Sequence, residues 1–166
     1  MKNTKADEIV HRSTVPLLSW DFHYEYFKEL KVIFADLKKV NRISDQFSWN
    51  DKNLEIKDRI LDEVVLVTDA DLKIVFASNG IKKMTGYNES EIIGKTPKIF
   101  QGPKTSKIAL EEIREAIQMQ IPFEKTIENY KKDGEVYKCR IKSVPIFNLK
   151  GKLTHFIAFE SVDKSA

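Results

Sequence analysis

The chain has 166 residues, 42% of them hydrophobic, and its 28 basic and 25 acidic side chains are mixed along the whole length for a formal charge of +3. That length suits one domain of ordinary size plus an extension and is too short for two well-cored domains. Mixed charge is the mark of a solvated surface rather than a nucleic-acid footprint, and the apolar runs fall short of a membrane span, so a cytoplasmic location without nucleic-acid or membrane partners is expected. A single cysteine, Cys139, excludes an internal disulfide, and the three scattered histidines offer no metal-ligand spacing.

Met1 to Ser13 is polar. Val15 to Phe22 (VPLLSWDF) is apolar and aromatic, and it runs into a helical pattern in which Phe27, Leu30, Ile33, Phe34, Leu37 and Val40 recur at three- and four-residue spacing, with Glu29, Lys31, Asp36, Lys38 and Lys39 on the other face. Such a stripe packs on the rest of the chain or on a partner, and the two are compatible. The aromatic content exceeds what one helix needs, which sets a partner interface level with internal packing, with Phe27, Leu30, Phe34 and Leu37 as contact residues of a homodimer or of a separate effector. Asn41 to Asp51 is rich in turn formers, so residues 1–50 are expected to form an N-terminal helical extension and 51–166 the main domain. A short helix over roughly Leu54 to Asp62 then delivers the chain to its first strand, and its few apolar positions place it across a sheet edge or a neighbouring subunit.

Val64 to Asp69 and Lys73 to Ala77 read as a hairpin turning at Ala70-Asp71. Next comes the stretch around which the chain is organised, ASNGIKKMTGYNESEIIGKTPKIFQ (Ala77 to Gln101), an irregular crossing with short helices between two halves of a sheet. Within it, Asn88 and Glu91 have the spacing of a capping box, and Gly94 ends the turn that they start. Thr105 or Ser106 caps a helix reaching about Met119, with Ala109, Ile113, Ala116 and Ile117 inward, and Pro122 stops it. Strands follow at Phe123 to Tyr130, Val136 to Ile146 and Leu153 to Val162, joined by turns at Asp133-Gly134 and Lys150-Gly151. Alternation along the last strand puts Phe156, Ala158 and Glu160 on one face and His155, Ile157 and Phe159 on the other. The face with Ile157 and Phe159 is the natural seat of the N-terminal helices or of a partner. The opposite face gathers Asn129, Cys139 and Glu160, a polar spot in an apolar interior whose groups, the carboxylate above all, need partners: a ligand, water, or side chains such as Lys98, Gln101 or Lys125.

Ala77-Ser78-Asn79, Thr85-Gly86-Tyr87, the run Gly94 to Pro103, Asn129-Tyr130-Lys131-Lys132-Asp133-Gly134 and Phe156-Ile157-Ala158-Phe159 carry a resemblance. From about Val64 to Val162 the chain resembles the PAS superfamily, and within it the LOV branch of flavin-binding blue-light sensors. The resemblance implies an α+β fold, a five-stranded antiparallel sheet with short helices on one face, preceded here by the amphipathic extension. It also implies a cavity site. Flavin-ring contacts map onto Gln101 and Asn129, which are kept, and onto Cys139 and Glu160, where an Asn and a Gln are usual. Phosphate contacts map onto Lys98, in place of an arginine, and Arg114, which is kept. The photoactive cysteine of the branch is replaced by Pro97, which has no nucleophile.

These departures weigh against flavin, and no histidine falls where PAS haem ligands arise, which weighs against haem. No nucleophile–base pair or phosphate loop is visible, so an enzyme is not expected. The expectation is a stand-alone PAS sensory module that signals through protein–protein contact or homodimerisation without cysteinyl–flavin photochemistry. The alternative is a sensor that holds a small molecule, flavin or another metabolite, in the cavity.

Overall fold

The computed structural model of the chain describes residues 18–50 and 55–163, with side chains from His23 onward. The apolar stretch expected from Val15 falls partly outside them, as does Leu54. Helix α1 spans Leu18–Gln46 and α2 Ile56–Arg59; β1 (Val64–Asp69) and β2 (Ile74–Ala77) precede α3 (Gly80–Thr85), α4 (Glu89–Ile92), a 3-10 turn (Pro97–Phe100) and α5 (Lys107–Gln118), and β3 (Phe123–Tyr130), β4 (Val136–Phe147) and β5 (Leu153–Val162) close the chain. The strands form one antiparallel sheet of five in the order β2-β1-β5-β4-β3. The expected α+β architecture is thus present, and β3 and β5 have the expected ends because Pro122 and the Gly134 and Gly151 turns, both glycines at positive φ, bound them.

Both faces of the sheet are covered, which is why β1 is buried at five consecutive positions. Val64, Leu66, Tyr137 and Cys139 face an inner core closed by Ile81, Met84, Ile92 and Phe100 of the crossing. Val65, Val67, Phe76, Ile146, Ile157 and Phe159 face the outer core, closed by Val40, Trp49 and Ile60 with Ile33, Leu37, Ile43 and Ile56 packed against it. The crossing is held by local chemistry. Glu91 accepts from the Asn88 backbone N–H at 2.9 Å in the expected capping box, and the Lys132 ammonium beside it, with that N–H, holds the Glu91 carboxyl down at about 2.

Helix α1 corrects two expectations. Its 29 residues run through Asn41–Asp45, because Ile43 extends the apolar spacing of Ile33, Leu37 and Val40 while Asn41 and Arg42 face solvent. The buried face is also rotated from the one anticipated. Phe27 and Phe34 are 60% and 69% exposed, whereas Asp36, expected on the solvent side, is buried and accepts the Asn79 backbone N–H at 2.7 Å. Burial raises the Asp36 pKa, and the Asn79 bond partly offsets that.

Two compact units divide the chain between Lys31 and Val32. In the first, Tyr24, Tyr26 and Phe27 are exposed, and the rings of Tyr26 and Phe27 meet edge-on at 6.2 Å. In the second, the outer face of the sheet is closed by the chain's own residues. Ile157 and Phe159, expected to seat the N-terminal helices or a partner, are buried in this core, where α1, through the half-buried Leu37, and α2 cover them. Helix α2 does so from the strand face, with the Arg59 guanidinium 3.6 Å from the centre of the Phe159 ring.

Candidate functional site

The inner face of the sheet and α5 enclose a cavity of about 460 Å³, within the range of small-molecule sites. Its floor is the alternating inner side of β1, β4 and β5: Leu66, Thr68, Ile141, Ser143, Phe156 and Ala158. Leu110, Ile113 and Ile117, one face of α5 at helical spacing, form the opposite wall. Ser106 caps that helix, its hydroxyl accepting the Ala109 N–H at 3.3 Å. Pro97, at the first position of the 3-10 turn, lines the rim.

Of the anticipated site residues, Lys98, Gln101, Arg114 and Glu160 line this cavity. Lys98 and Arg114 are exposed at its mouth, and Arg114 is ion-paired with Glu111 one turn away. Asn129 and Cys139 are buried in the inner layer beside it, where β3–β4 pairing sets Asn129 opposite Tyr137 and Ile127 opposite Cys139. The Cys139 thiol donates to Glu160 Oε2 at 3.7 Å. Lys125, weighed as a partner for that carboxylate, shares the inner face of β3 with Ile127 and Asn129 but instead pairs with Glu112 of α5 at 2.7 Å.

Burial dominates the electrostatics of this corner. It pushes the Glu160 carboxyl up to about 7, only partly opposed by the Cys139 hydrogen bond. It also raises the Cys139 thiol, with the Glu160 charge adding to the effect, so the sulfur stays protonated and acts as a donor, not a nucleophile. Tyr137 is raised in the same way. Three buried polar atoms have no hydrogen-bond partner among the described residues: Thr68 Oγ1, Asn129 Oδ1 and Tyr137 OH. Each such atom costs about 1–3 kcal/mol unless something satisfies it. Thr68 escaped the sequence reading, although alternation from Leu66 marks it as inward; Tyr137 stands inward with Cys139, as alternation along β4 predicts.

The loop after the 3-10 turn is fixed by a close approach. A Cβ at Gly102 would lie 2.5 Å from the Tyr130 ring. The Gly102 N–H donates to Thr105 Oγ1 at 3.0 Å, and the Thr105 hydroxyl donates to the Glu128 carbonyl at 2.6 Å.

A PAS domain profile matches residues 62–163. The chain belongs to the PAS domain family. Within this PAS chain, 88 residues are 43% identical to Protein TWIN LOV 1 of Arabidopsis thaliana, covering 52% of the chain and 22% of that protein. A further 95-residue match is 39% identical to a blue-light-activated histidine kinase of Rhizobium johnstonii and covers 55% of the chain and 28% of the kinase. The chain thus spans about a quarter of the length of these curated relatives. Among solved structures, the light state of the blue-light photoreceptor Aureochrome1 LOV superposes with a TM-score of 0.61 at 27% identity over 68% of this chain and 91% of that one. A structure of a LOV domain with a flavin analogue does so with a TM-score of 0.64 at 23% identity, over 69% and 87% of the two chains.

Flavin is the cofactor that these relatives bring into question. Of the residues onto which the resemblance maps flavin-ring contacts, Gln101 and Glu160 line the cavity, while Asn129 and Cys139 are buried beside it. As a carboxylate Glu160 offers only acceptors to the carbonyl-bordered pyrimidine edge of a flavin, and only its protonated form can donate there.

Among the described residues no group of histidines, cysteines and carboxylates is placed to hold a metal ion, and no helix is long and apolar enough to cross a membrane. His155 lies on the outer face, where it accepts from Trp49 Nε1 at 3.1 Å.

Proposed function

We propose that this PAS domain is a signalling module whose input is a small molecule held non-covalently in the cavity between sheet and α5, and whose output passes through α1. The observation that carries the reading is the cavity itself, lined by a buried carboxyl group and by the unpartnered Thr68 hydroxyl. A pocket filled by its own side chains would have no use for polar atoms left unpaired. Lys98, Gln101, Arg114, Asn129, Cys139 and Glu160 are the site residues of this proposal, with Thr68 added to them.

In this reading no cysteinyl–flavin adduct forms, because Pro97 occupies the rim where the resemblance places the reactive cysteine and Cys139 is a buried, protonated thiol. A blue-light difference spectrum of the protein incubated with excess FMN tests this part. The expected trace is flat, and a flavin band that bleaches on illumination and recovers in darkness would overturn it.

The output side rests on α1. From Val32 onward the helix packs on the outer face of the sheet with Leu37 and Val40, while Phe34 remains exposed. Residues 1–50 then serve as the arm that contacts a second copy or an effector, and residues 51–166 as the input domain. Similarity to a twin LOV protein and to a blue-light-activated histidine kinase supports an effector in trans or in the same chain.

A further inference from the structure

The cavity has a polar group at each end. Glu160 is buried to 4% exposure at one end, beside the Cys139 thiol. At the other is Thr68, 6% exposed, whose hydroxyl has no partner. β1–β5 pairing sets Val64 opposite Glu160 and Thr68 opposite Phe156. The two polar ends are therefore four positions apart along adjacent strands, about 13 Å at the rise of a β-strand. The surfaces between them are largely apolar on two opposing sides, with Leu66, Ile141 and Ala158 on the sheet beside the polar Ser143, and Leu110, Ile113 and Ile117 on α5.

We infer that the cavity takes a planar nitrogen heterocycle that presents an amidine-type edge, an exocyclic amino group beside a ring nitrogen, to the carboxyl group of Glu160. The inference rests on the reading of the cavity as a ligand site and names the class of ligand. A carboxyl group and such an edge form two parallel hydrogen bonds in either protonation state. As the acid, Glu160 donates its O–H to the ring nitrogen and accepts from the amino N–H. As the carboxylate, it accepts both hydrogens of the protonated edge.

This adaptability suits a group whose two forms are both populated near neutral pH, as burial makes those of Glu160. Competing classes fit less well. A carboxylate or phosphate ligand and the carbonyl edge of a flavin are matched by the protonated form of Glu160 alone, and a primary ammonium by its carboxylate alone, whereas the amidine-type edge pairs with both. The ring faces need flat apolar cover, which the sheet and α5 supply from opposite sides.

Calorimetric titration of the full chain at pH 7 with 2-aminobenzimidazole, indole and FMN tests the inference, in the wild type and in Glu160→Met. Indole has the same bicyclic shape without the amidine edge. Methionine keeps the length of the side chain and removes its hydrogen bonds. The expected result is that 2-aminobenzimidazole binds the wild type about tenfold or more tighter than indole and tighter than FMN, and that Glu160→Met abolishes this preference while leaving indole binding within about threefold. Equal affinities for the two bicycles, a preference that survives Glu160→Met, or FMN as the tightest ligand would each overturn the ligand class and leave the cavity reading standing. Failure of all three probes to bind the folded wild type would overturn the cavity reading and the inference with it.

Discussion

Two buried titratable side chains five residues apart on opposite faces of β5, His155 and Glu160, respond to pH in opposite directions. The folded-state pKa of His155 is lowered from 6.5, chiefly by burial and against the pull of Asp69, and its Nδ1 accepts from Trp49. Its contribution to stability is complete above pH 6.5 and is lost as pH falls through the lowered folded value. Glu160 is the reverse case. Its pKa is raised from 4.5 to about 7, so its contribution is complete below pH 4.5 and is lost as pH rises through 7. Thermal unfolding of Glu160→Gln should therefore show a higher Tm than the wild type at pH 8 and little difference at pH 5, with a stability gain at pH 8 on the order of 1–3 kcal/mol. An equal gain at both pH values would detach the carboxyl group from the effect. As pH falls through the lowered folded value of His155, the wild type should lose the Trp49–His155 bond, read as a red shift in the part of the fluorescence that Trp49→Phe removes; His155→Phe should show no such shift over the same range.

Close packing gives a sharper test at the same scale. Gly102→Ala drives a methyl into the Tyr130 ring and should cost about 1–3 kcal/mol in chemical denaturation. The double variant with Tyr130→Ala should recover part of that loss.

At the scale of elements, α1 has two kinds of apolar side chain that helical spacing alone does not separate. Leu37 packs into the outer core and Phe34 is exposed to solvent. Leu37→Asp should destabilise by about 2–4 kcal/mol, because it sets a charge against that core. Phe34→Asp should leave the Tm close to that of the wild type, within the scatter of surface changes of about 0.5 kcal/mol. If α1 contacts a second copy, Phe34→Asp also lowers the molar mass seen by light scattering at unchanged fold, and an unchanged mass directs the search to an effector. Much of this layer was legible in advance. Spacing located the helix, alternation along β3, β4 and β5 grouped Asn129, Cys139 and Glu160 on one face, and glycine turns bounded the strands. What escaped has long-range causes. Asp36 turns inward for a backbone N–H 43 positions away, and Trp49 leaves its turn-forming neighbourhood for a histidine 106 positions away. Such partners have no signature in a local window of residues.

At the scale of the molecule, the sheet separates two tasks. The inner face meets a cavity with polar groups at both ends, and the outer face meets the helix proposed to carry the output. β1 and β5 contribute alternate residues to both faces, so a shift of either strand that accommodates a ligand at Glu160 or Thr68 also displaces Val65, Ile157 or Phe159 beneath α1 and α2. The proposed coupling thus runs through strands that serve both faces.

The most direct test of the account is mass spectrometry of freshly purified, untagged protein under native and then denaturing conditions, for the wild type and for Ala158→Phe, which fills the cavity. The account predicts a mass excess in the native wild type that vanishes on denaturation and is absent from Ala158→Phe. A native mass equal to that of the bare chain, or an excess that survives denaturation as a covalent adduct, would contradict it.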